Sequence, residues 1–289
     1  MPELPEVETI RRGLVKELAG LTLFGLAADE SRVFRTSAAV LRTALSRAEL
    51  LAVERHGKYL FLRFRNGILL LHLGMTGRLL VRNQETSHEP KKEDDSLPRH
   101  LHLRLFFEDD VVLEFWDTRL FGRVEWFPQA TGPVRDLFPH LGPDPLSGEY
   151  READFYERLK RHGGTRIKSL LIDQSFLAGL GNIYADEVLF RTRIHPARRV
   201  GGLRRFERAG LFTTIPNLLQ EAIRKGGTTW RDYVNSTGGR GNFADELQVY
   251  ARTGMPCRIC GEPVRRLVLG GRSSHFCPRC QPRQGTFTS

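Results

Sequence analysis

Apolar residues near the start of the chain recur at the spacing of one helix face. The positions concerned are Val7, Ile10, Leu14 and Leu18. A period of three to four residues is typical of an amphipathic helix that packs one face on a core. Pro5 suits the first turn of such a helix, and Gly20 suits the position just beyond its end. The pattern therefore predicts a helix over residues 5–18.

From about residue 21 to residue 127, the pattern changes to short apolar segments separated by turn residues. Segments of this length, with an Asn-Gly or acidic turn between them, are typical of β-hairpins. Several hairpins in succession predict a β-sandwich in this half of the chain. The predicted hairpins pair residues 59–64 with 68–73, around Asn66-Gly67, and residues 101–107 with 111–115.

Two polar stretches interrupt or end this region. Residues 83–98 are charged and punctuated by proline, which predicts a mobile loop. Residues 128–145 are rich in glycine and proline, which makes them the best linker candidate. Beyond them the period becomes helical again and predicts a small helical bundle. The predicted helices cover residues 150–161, 167–173, 183–191, 203–212 and 215–225, followed by a Gly-rich loop or lid at residues 226–242.

The charge of the chain indicates the kind of partner it binds. The 289 residues carry a formal net charge of +10, so the natural partner is a polyanion such as nucleic acid. Only seven of the 44 basic residues are lysine, and the others are arginine. Arginine suits two-pronged hydrogen bonding to phosphates and base edges, although a GC-rich genome would give the same bias.

The sequence also bears on the compartment. It contains no apolar run of 18 residues, which predicts no membrane span. Its acidic N-terminus is unlike the basic start and apolar segment of a signal peptide. We therefore expect a cytoplasmic protein, in which thiols stay reduced.

All four cysteines lie near the C-terminal end, as two Cys-x-x-Cys pairs: Cys257, Cys260, Cys277 and Cys280. This spacing is typical of four thiolates that bind one structural zinc ion in a closed tetrahedron. Two disulfides or a redox pair are the alternatives. The residues between the pairs predict a two-stranded hairpin that carries Arg272 beside its turn, where it could probe a DNA groove or phosphate. His275 is expected to be structural, because four sulfurs already fill the shell.

The first residues offer a possible nucleophile. Initiator methionine is normally removed before proline, which would leave Pro2 as a secondary amine. Such an amine has a pKa of about 7.7–8.0, so part of it is unprotonated at neutral pH and can attack carbon. The adjacent Glu3 carboxylate could transfer protons. The alternative is that Met-Pro occurs by chance and that the acidic residues only favour a helix N-terminus.

Four motifs follow one another from Pro2 to about Gln281. They are Pro2-Glu3-Leu4-Pro5-Glu6-Val7-Glu8-Thr9, His72-Leu73-Gly74-Met75-Thr76-Gly77, Gly181-Asn182-Ile183-Tyr184-Ala185 and the four-cysteine finger. Together they resemble the formamidopyrimidine-DNA glycosylase family of bacterial base-excision repair enzymes.

The resemblance implies an α+β multidomain fold. An N-terminal β-sandwich with an N-terminal helix would precede a C-terminal helical domain with a helix–two-turn–helix motif and a zinc-binding β-hairpin. The implied domains are residues 2–127 for the catalytic sandwich, 128–148 for a linker, 149–245 for the helical DNA-binding domain, 246–281 for the zinc finger and 282–289 for a disordered tail.

The resemblance also implies a bifunctional DNA glycosylase and abasic-site lyase that excises oxidised purines, chiefly 8-oxoguanine and formamidopyrimidines. Pro2 would attack C1′ of the damaged nucleotide, expel the base and form a Schiff base that leads to β- and δ-elimination. Glu3 would transfer protons at the opening sugar, and Glu6 would orient or support the N-terminus. Lys58 would bind phosphate and assist β-elimination, while Arg272 would take part in δ-elimination.

The implied partner is double-stranded DNA that contains an oxidised base or an abasic site. Base removal requires that the nucleotide leave the stack and that the gap be filled. Met75 would fill the void, Arg119 would meet the orphaned cytosine, and Phe121 would act as a wedge. The residues alone would favour a core position for Met75 and Phe121.

Further implied DNA contacts lie mostly in the second half of the chain. Asn182 and Arg272 would bind phosphates that flank the lesion. Lys168 and His100 would be additional contacts, and residues 228–242 would close over the extruded base.

Three features depart from the family pattern. The insertion at residues 83–98 is long and charged, Leu120 stands at a position that is often basic, and a tail follows the last cysteine. Two alternative functions remain open: a sister-group glycosylase for oxidised pyrimidines, and a non-catalytic zinc-finger DNA-binding protein. We expect a monomer with one structural zinc ion as its cofactor.

Overall fold

The computed structural model of the chain describes residues 2–83, 97–228 and 242–283, and the structural statements below concern these residues. The predicted loop at 83–98, the lid at 226–242 and the tail at 282–289 therefore lie largely outside the described part. The chain forms two compact units, Met1–Phe138 with Lys225–Ala244 and Pro139–Arg224 with Asp245–Ser289.

The first unit contains two helices and eight strands. They are α1 Leu4–Leu18, β1 Thr22–Ala28, α2 Ala38–Leu45, β2 Ala48–His56, β3 Tyr59–Phe64, β4 Gly67–His72, β5 Arg78–Asn83, β6 Leu101–Phe107, β7 Val111–Trp116 and β8 Arg123–Pro128. The second unit contains α3 Glu152–Arg161, α4 Ile167–Leu171, α5 Asn182–Arg191, α6 Arg205–Arg224, β9 Arg265–Leu269 and β10 Arg272–Phe276. None of these helices is long and apolar enough to cross a membrane.

The helix predicted over residues 5–18 is confirmed as α1. Its apolar face is fully buried and belongs to the core of the first unit. Each buried side chain of this size stabilises the fold by about 1.5–3 kcal/mol relative to an exposed one. This burial fixes the start of the chain against the sheet.

The eight strands form an antiparallel sheet in the order β5-β7-β6-β1-β2-β3-β4-β8. The ladder between β1 and β2 contains only two residue pairs, so the sheet divides there into two four-stranded halves. The core draws Leu105 and Phe115 from one half and Leu62 and Leu71 from the other. This arrangement is the predicted β-sandwich.

Both predicted hairpins are present, as β3–β4 and β6–β7. The first turn lies one residue earlier than predicted, because Gly67 already pairs with Phe64. Gly67 has φ +158°, and a Cβ atom there would lie 2.4 Å from the Phe127 carbonyl oxygen. Glycine is therefore needed at this position as a strand residue.

The strand prediction between residues 21 and 127 missed helix α2. Only Leu41 and Leu45 of this helix are buried. Two apolar contacts are too few to give a periodic signal. Ser37 caps the start of the helix, because its hydroxyl accepts the Val40 N–H at 3.4 Å.

Part of the predicted linker packs on the first unit. The Phe138 ring stacks on Tyr59 with 5.0 Å between ring centroids, and Val134 is buried. A segment held by an aromatic stack is not a free linker, although its glycine and proline content indicated one.

The two helices predicted over residues 203–212 and 215–225 are one continuous helix, α6, so the predicted break is wrong. Pro216 lies inside α6 and has no N–H to donate to the Phe212 carbonyl one turn earlier. The Tyr150 hydroxyl donates to that carbonyl instead, at 3.2 Å. The Tyr150 and Phe212 rings also stack at 4.6 Å.

Candidate active site

The candidate nucleophile lies at the buried start of α1. Pro2 is buried, and Glu3 and Glu6 are each only 2% exposed. The Glu6 Oε2 atom accepts the Glu3 N–H at 2.9 Å. A carboxylate is favoured here because the first N–H groups of a helix have no partner within the helix. The Glu6 carboxylate thus holds in place the backbone that directly follows Pro2.

The other oxygen of Glu6 binds a distant part of the same unit. Its Oε1 atom accepts the Thr228 N–H at 2.8 Å and the Thr228 hydroxyl at 3.0 Å. Gly227 has φ +79°, and a Cβ atom there would lie 2.9 Å from Glu6 Oε1. Thr228 in turn pairs with Asn242. Glu6 therefore joins the N-terminus to the two ends of the segment that was predicted to cover an extruded base.

Lys58 lies in the tight turn between β2 and β3 and is 7% exposed. Arg55 fixes this turn by donating to the Gly57 carbonyl at 2.9 Å and to Glu8 Oε2 at 3.0 Å. Burial alone would raise the pKa of Glu8, but hydrogen bonds from Arg11 and the charge of Arg55 lower it to about 2. An ionised carboxylate on α1 thus fixes the turn that presents Lys58.

His72 is a neighbour of Lys58 to which the sequence analysis gave no role. It pairs with Tyr59 across the β3–β4 hairpin, with 4.6 Å between the rings. Burial and the nearby Lys58 charge lower the pKa of His72 to about 4, so the ring is neutral at pH 7. Its Nδ1 atom accepts the Gly74 N–H at 3.3 Å, which leaves the proton on Nε2. The predicted turn at Asn66-Gly67 would have paired Tyr59 with Gly74, so only the observed register reveals this contact.

The three predicted gap-filling residues lie on two loops that pack against each other. A Cβ atom on Gly74 would lie 2.5 Å from the Phe121 backbone, so Met75 and Phe121 stand on adjoining turns. Asp117 holds the second turn by accepting the Gly122 N–H at 2.7 Å and the Thr76 hydroxyl at 2.5 Å. Two loops fixed in this way present a preformed surface.

The side chains on this surface point outward. Met75 is 36% exposed and Phe121 is 48% exposed, which excludes the core positions that the residues alone would favour. The Arg119 guanidinium lies 4.8 Å from the centroid of the Phe121 ring. His100 is nearby, since its carbonyl accepts the Asp117 N–H at 2.9 Å. An exposed aromatic ring and methionine next to arginine form a surface suited to stacked bases.

In the second unit, Asn182 is the first residue of α5. Its Oδ1 atom is buried and has no hydrogen-bond partner among the described residues. A buried polar atom without a partner costs free energy and needs an explanation such as a ligand. The start of a helix, where backbone N–H groups are unpaired, also suits an anion.

Arg272 begins β10 directly after the hairpin turn at Gly270 and Gly271, and its side chain is exposed. Both glycines have positive φ, 53° and 73°, as a two-residue hairpin turn requires. The hairpin therefore presents Arg272 to solvent, as predicted.

Lys168 does not have the exposure that a phosphate contact would need. It is fully buried, its Nζ atom donates to the Asn182 carbonyl at 2.9 Å, and it forms an ion pair with Asp186. The other oxygen of Asp186 accepts the His275 N–H and binds His275 Nδ1, both at 2.9 Å. We therefore correct the expectation for Lys168, which links α4 and α5 inside the unit.

The four cysteine sulfurs lie within 4.8 Å of one another. Two of the cross-pair distances are 3.4 Å, from Cys260 to Cys277, and 3.9 Å, from Cys257 to Cys280. These distances exclude disulfide bonds, which require about 2.05 Å. Four sulfurs at this spacing fit one tetrahedral zinc ion and leave no open position for substrate. His275 faces Asp186 instead, so its predicted structural role agrees with its contacts.

Three family profiles match successive parts of the chain. Residues 1–124 match the formamidopyrimidine-DNA glycosylase N-terminal domain, and residues 141–234 match the H2TH domain of the same family. Residues 254–283 match a zinc finger found in FPG and IleRS. The finger therefore holds one structural zinc ion.

Curated relatives match this chain along almost its whole length. The formamidopyrimidine-DNA glycosylase of Methylococcus capsulatus is 43% identical over 97% of this chain and 100% of the relative. That of Heliobacterium modesticaldum is 41% identical, again over 97% of this chain and 100% of the relative.

Solved structures with the same fold contain DNA. The Lactococcus lactis FPG mutant G226P bound to Fapy-dG DNA has a TM-score of 0.86 and 34% identity, covering 97% of this chain and 100% of its own. MutM bound to carbocyclic 8-oxo-G DNA has a TM-score of 0.85, with the same identity and coverage.

Proposed function

The chain belongs to the formamidopyrimidine-DNA glycosylase family, and on that premise we propose that it excises oxidised purines from double-stranded DNA and then cuts the strand. The observation that carries the proposal is the buried N-terminal site, in which Pro2 is followed by two carboxylates. The relatives bound to Fapy-dG and 8-oxo-G DNA support the choice of oxidised purines.

The first step is attack by the unprotonated Pro2 amine on C1′ of the damaged nucleotide. The new N–C1′ bond forms as the glycosidic bond breaks and the base leaves with the bonding electrons. The N–H proton of Pro2 passes to Glu3, which returns it to O4′ as the ring C1′–O4′ bond breaks, and the product is an iminium between Pro2 and C1′. Because Pro2 is a secondary amine, this iminium keeps its positive charge.

The cationic iminium then draws electrons away from the sugar. Loss of a proton from C2′ expels the 3′ phosphate in β-elimination, and a second loss of a proton expels the 5′ phosphate in δ-elimination. Two neighbouring groups can donate to a phosphate of the opened sugar. They are the Lys58 ammonium and the Nε2–H of the neutral His72. Arg272 is the proposed participant in the second elimination.

Residues of both units supply the proposed DNA contacts. Met75 and Phe121 would fill the space left by the extruded nucleotide, Arg119 would meet the unpaired base, and His100 lies beside them. Asn182 and Arg272 would bind phosphates. The segment predicted to cover the extruded base lies largely outside the described residues, but its described ends Thr228 and Asn242 pair with each other, and Glu6 binds Thr228. The zinc ion has a structural role, since it keeps Arg272 on a rigid hairpin.

Borohydride trapping on a duplex with an 8-oxoguanine:cytosine pair tests the proposal. Protein shown by mass spectrometry to begin at Pro2 is expected to form a covalent adduct with this duplex and none with an undamaged one. We expect Glu3→Gln to slow adduct formation by about 10²–10⁴-fold, because general acid catalysis is lost. Glu17→Gln, on the same helix but distant from its start, is the matched control.

The alternatives predict different results. A sister-group enzyme for oxidised pyrimidines would form its adduct faster on a thymine glycol duplex than on 8-oxoguanine. A non-catalytic DNA-binding protein would form no adduct with either, and Pro2→Gly would change nothing measurable.

A further inference from the structure

A second arginine lies beside the proposed wedge residue. The exposed Phe121 ring has the Arg119 guanidinium 4.8 Å from its centroid and the Arg32 guanidinium 6.0 Å from it. Arg32 also donates from Nη2 to the Arg119 carbonyl at 3.3 Å. Neither the motifs nor the resemblance pointed to Arg32, which lies about 90 residues earlier in the chain.

Backbone hydrogen bonds fix the position of Arg32. The next residue, Val33, is fully buried, and its carbonyl accepts the Val124 N–H at 2.8 Å. The Val124 carbonyl in turn accepts the Arg35 N–H at 2.8 Å, so the segment runs as a short bridge along β8. The Arg32 side chain therefore extends from backbone that is fixed next to the edge strand β8.

The charge of Arg32 is not neutralised by a carboxylate among the described residues, and the same holds for Arg119. Other arginines of this unit form ion pairs, as Arg55 does with Glu8 and Arg104 does with Glu114. Two like charges around one ring repel each other. Their placement becomes favourable when an anion binds between or beside them.

We propose that Arg32 binds a DNA backbone phosphate next to the base step that Phe121 enters. One N–H of Arg32 is used on the Arg119 carbonyl, and the guanidinium has four others with which to form a two-pronged phosphate contact. Arg119 then faces the unpaired base while Arg32 fixes the strand beside it. This inference rests on the proposed function, because it needs DNA at the Phe121 surface.

Salt-dependent binding separates this role from mere support of Phe121. A cation–π contact at an exposed site contributes little and releases no counterions, whereas each phosphate contact adds about 0.9 to the slope of log affinity against log salt. We expect Arg32→Gln to weaken binding of a duplex with a tetrahydrofuran abasic analogue roughly tenfold and to reduce the slope by about 1. Arg32→Lys is expected to keep the slope because it keeps the charge.

Arg47→Gln is the matched control, since Arg47 is an exposed arginine of the same unit that lies in the turn between α2 and β2. It should keep the wild-type slope and affinity, and both glutamine variants should keep the wild-type melting temperature. A wild-type slope for Arg32→Gln would overturn the inference, even with weaker binding. The two claims fail separately. Absence of the borohydride adduct with wild-type protein would overturn the proposed function, whereas the salt slopes test only the phosphate contact of Arg32.

Discussion

The ion pair between Lys168 and Asp186 shows how much one residue depends on its surroundings. Their side chains are 1% and 0% exposed, and Asp186 also accepts hydrogen bonds from His275. Two charges in such a place stabilise the fold only as a pair, because either one alone would be a buried charge without compensation.

We therefore expect Asp186→Asn to lower the free energy of unfolding by about 3–5 kcal/mol, since it leaves the Lys168 ammonium unpaired. The double variant Lys168→Met/Asp186→Asn should recover part of this loss, because the unpaired charge is gone. Urea unfolding measures both. Glu49→Gln breaks the exposed pair with Arg65 and should change stability by less than about 1 kcal/mol. Equal losses in the single and double variants would contradict the argument.

Residue roles were predictable where spacing alone determines them. The zinc-ligand role of the four cysteines could be predicted from their positions alone, because two Cys-x-x-Cys turns direct their sulfurs at one point. Lys168 could not be placed in the same way. Its sequence position gives a positive charge but not its burial, which depends on Asp186 eighteen residues later. His72 was missed because its chemistry depends on Lys58 across a hairpin.

Helix α5 holds the zinc finger through two consecutive carboxylates. Asp186 binds β10 through His275, while Glu187 accepts three backbone N–H groups, those of Gln248, Val249 and Tyr250, at 2.9–3.0 Å. One helix therefore fixes both the segment that enters the finger and the strand that begins with Arg272.

Glu187→Gln should loosen this attachment without removing the metal. An amide offers only one acceptor oxygen in place of two, so at least one of the three N–H groups loses its partner. We expect faster hydrogen exchange over residues 248–250, with one zinc ion per chain retained. Glu221→Gln is the matched control on α6, since its pair with Arg191 is half-exposed. Unchanged exchange in Glu187→Gln, or loss of zinc, would show that the carboxylate has another role.

Elements were predictable in proportion to the length of their apolar pattern. Helix α1 and the two hairpins each repeat their period several times, and each was found. Helix α2 buries only two side chains and was missed. Helix α6 was predicted as two helices, over residues 203–212 and 215–225, whereas Pro216 lies inside one continuous helix. The Tyr150 hydroxyl donates to the Phe212 carbonyl that Pro216 leaves without a donor, and no local signal reports such a tertiary contact.

At the scale of the whole molecule, the route of the chain matters most for the proposed site. The chain leaves the first unit after Phe138 and returns for Lys225–Ala244. This return brings Thr228 to Glu6 across 222 positions of sequence. A helical period or a hairpin signal acts over a few residues, so neither could predict this contact. The sequence assigned the Glu6 carboxylate to the N-terminus, but its contact with Thr228 could be seen only in the folded structure.

Gly227→Ala tests whether this return supports the nucleophile. A methyl group there would lie 2.9 Å from Glu6 Oε1, so the carboxylate that accepts the Glu3 N–H has to move. Misplacement of a positioning group is expected to slow borohydride trapping by roughly ten- to a hundredfold. Gly20→Ala is the matched control, because Gly20 has a similar φ of +86° with nothing within 4 Å of its Cβ position. Both variants should lose about 1–2 kcal/mol of stability through backbone strain. If both trap at the wild-type rate, the contact between Glu6 and Thr228 stabilises the fold and leaves the chemistry unaffected.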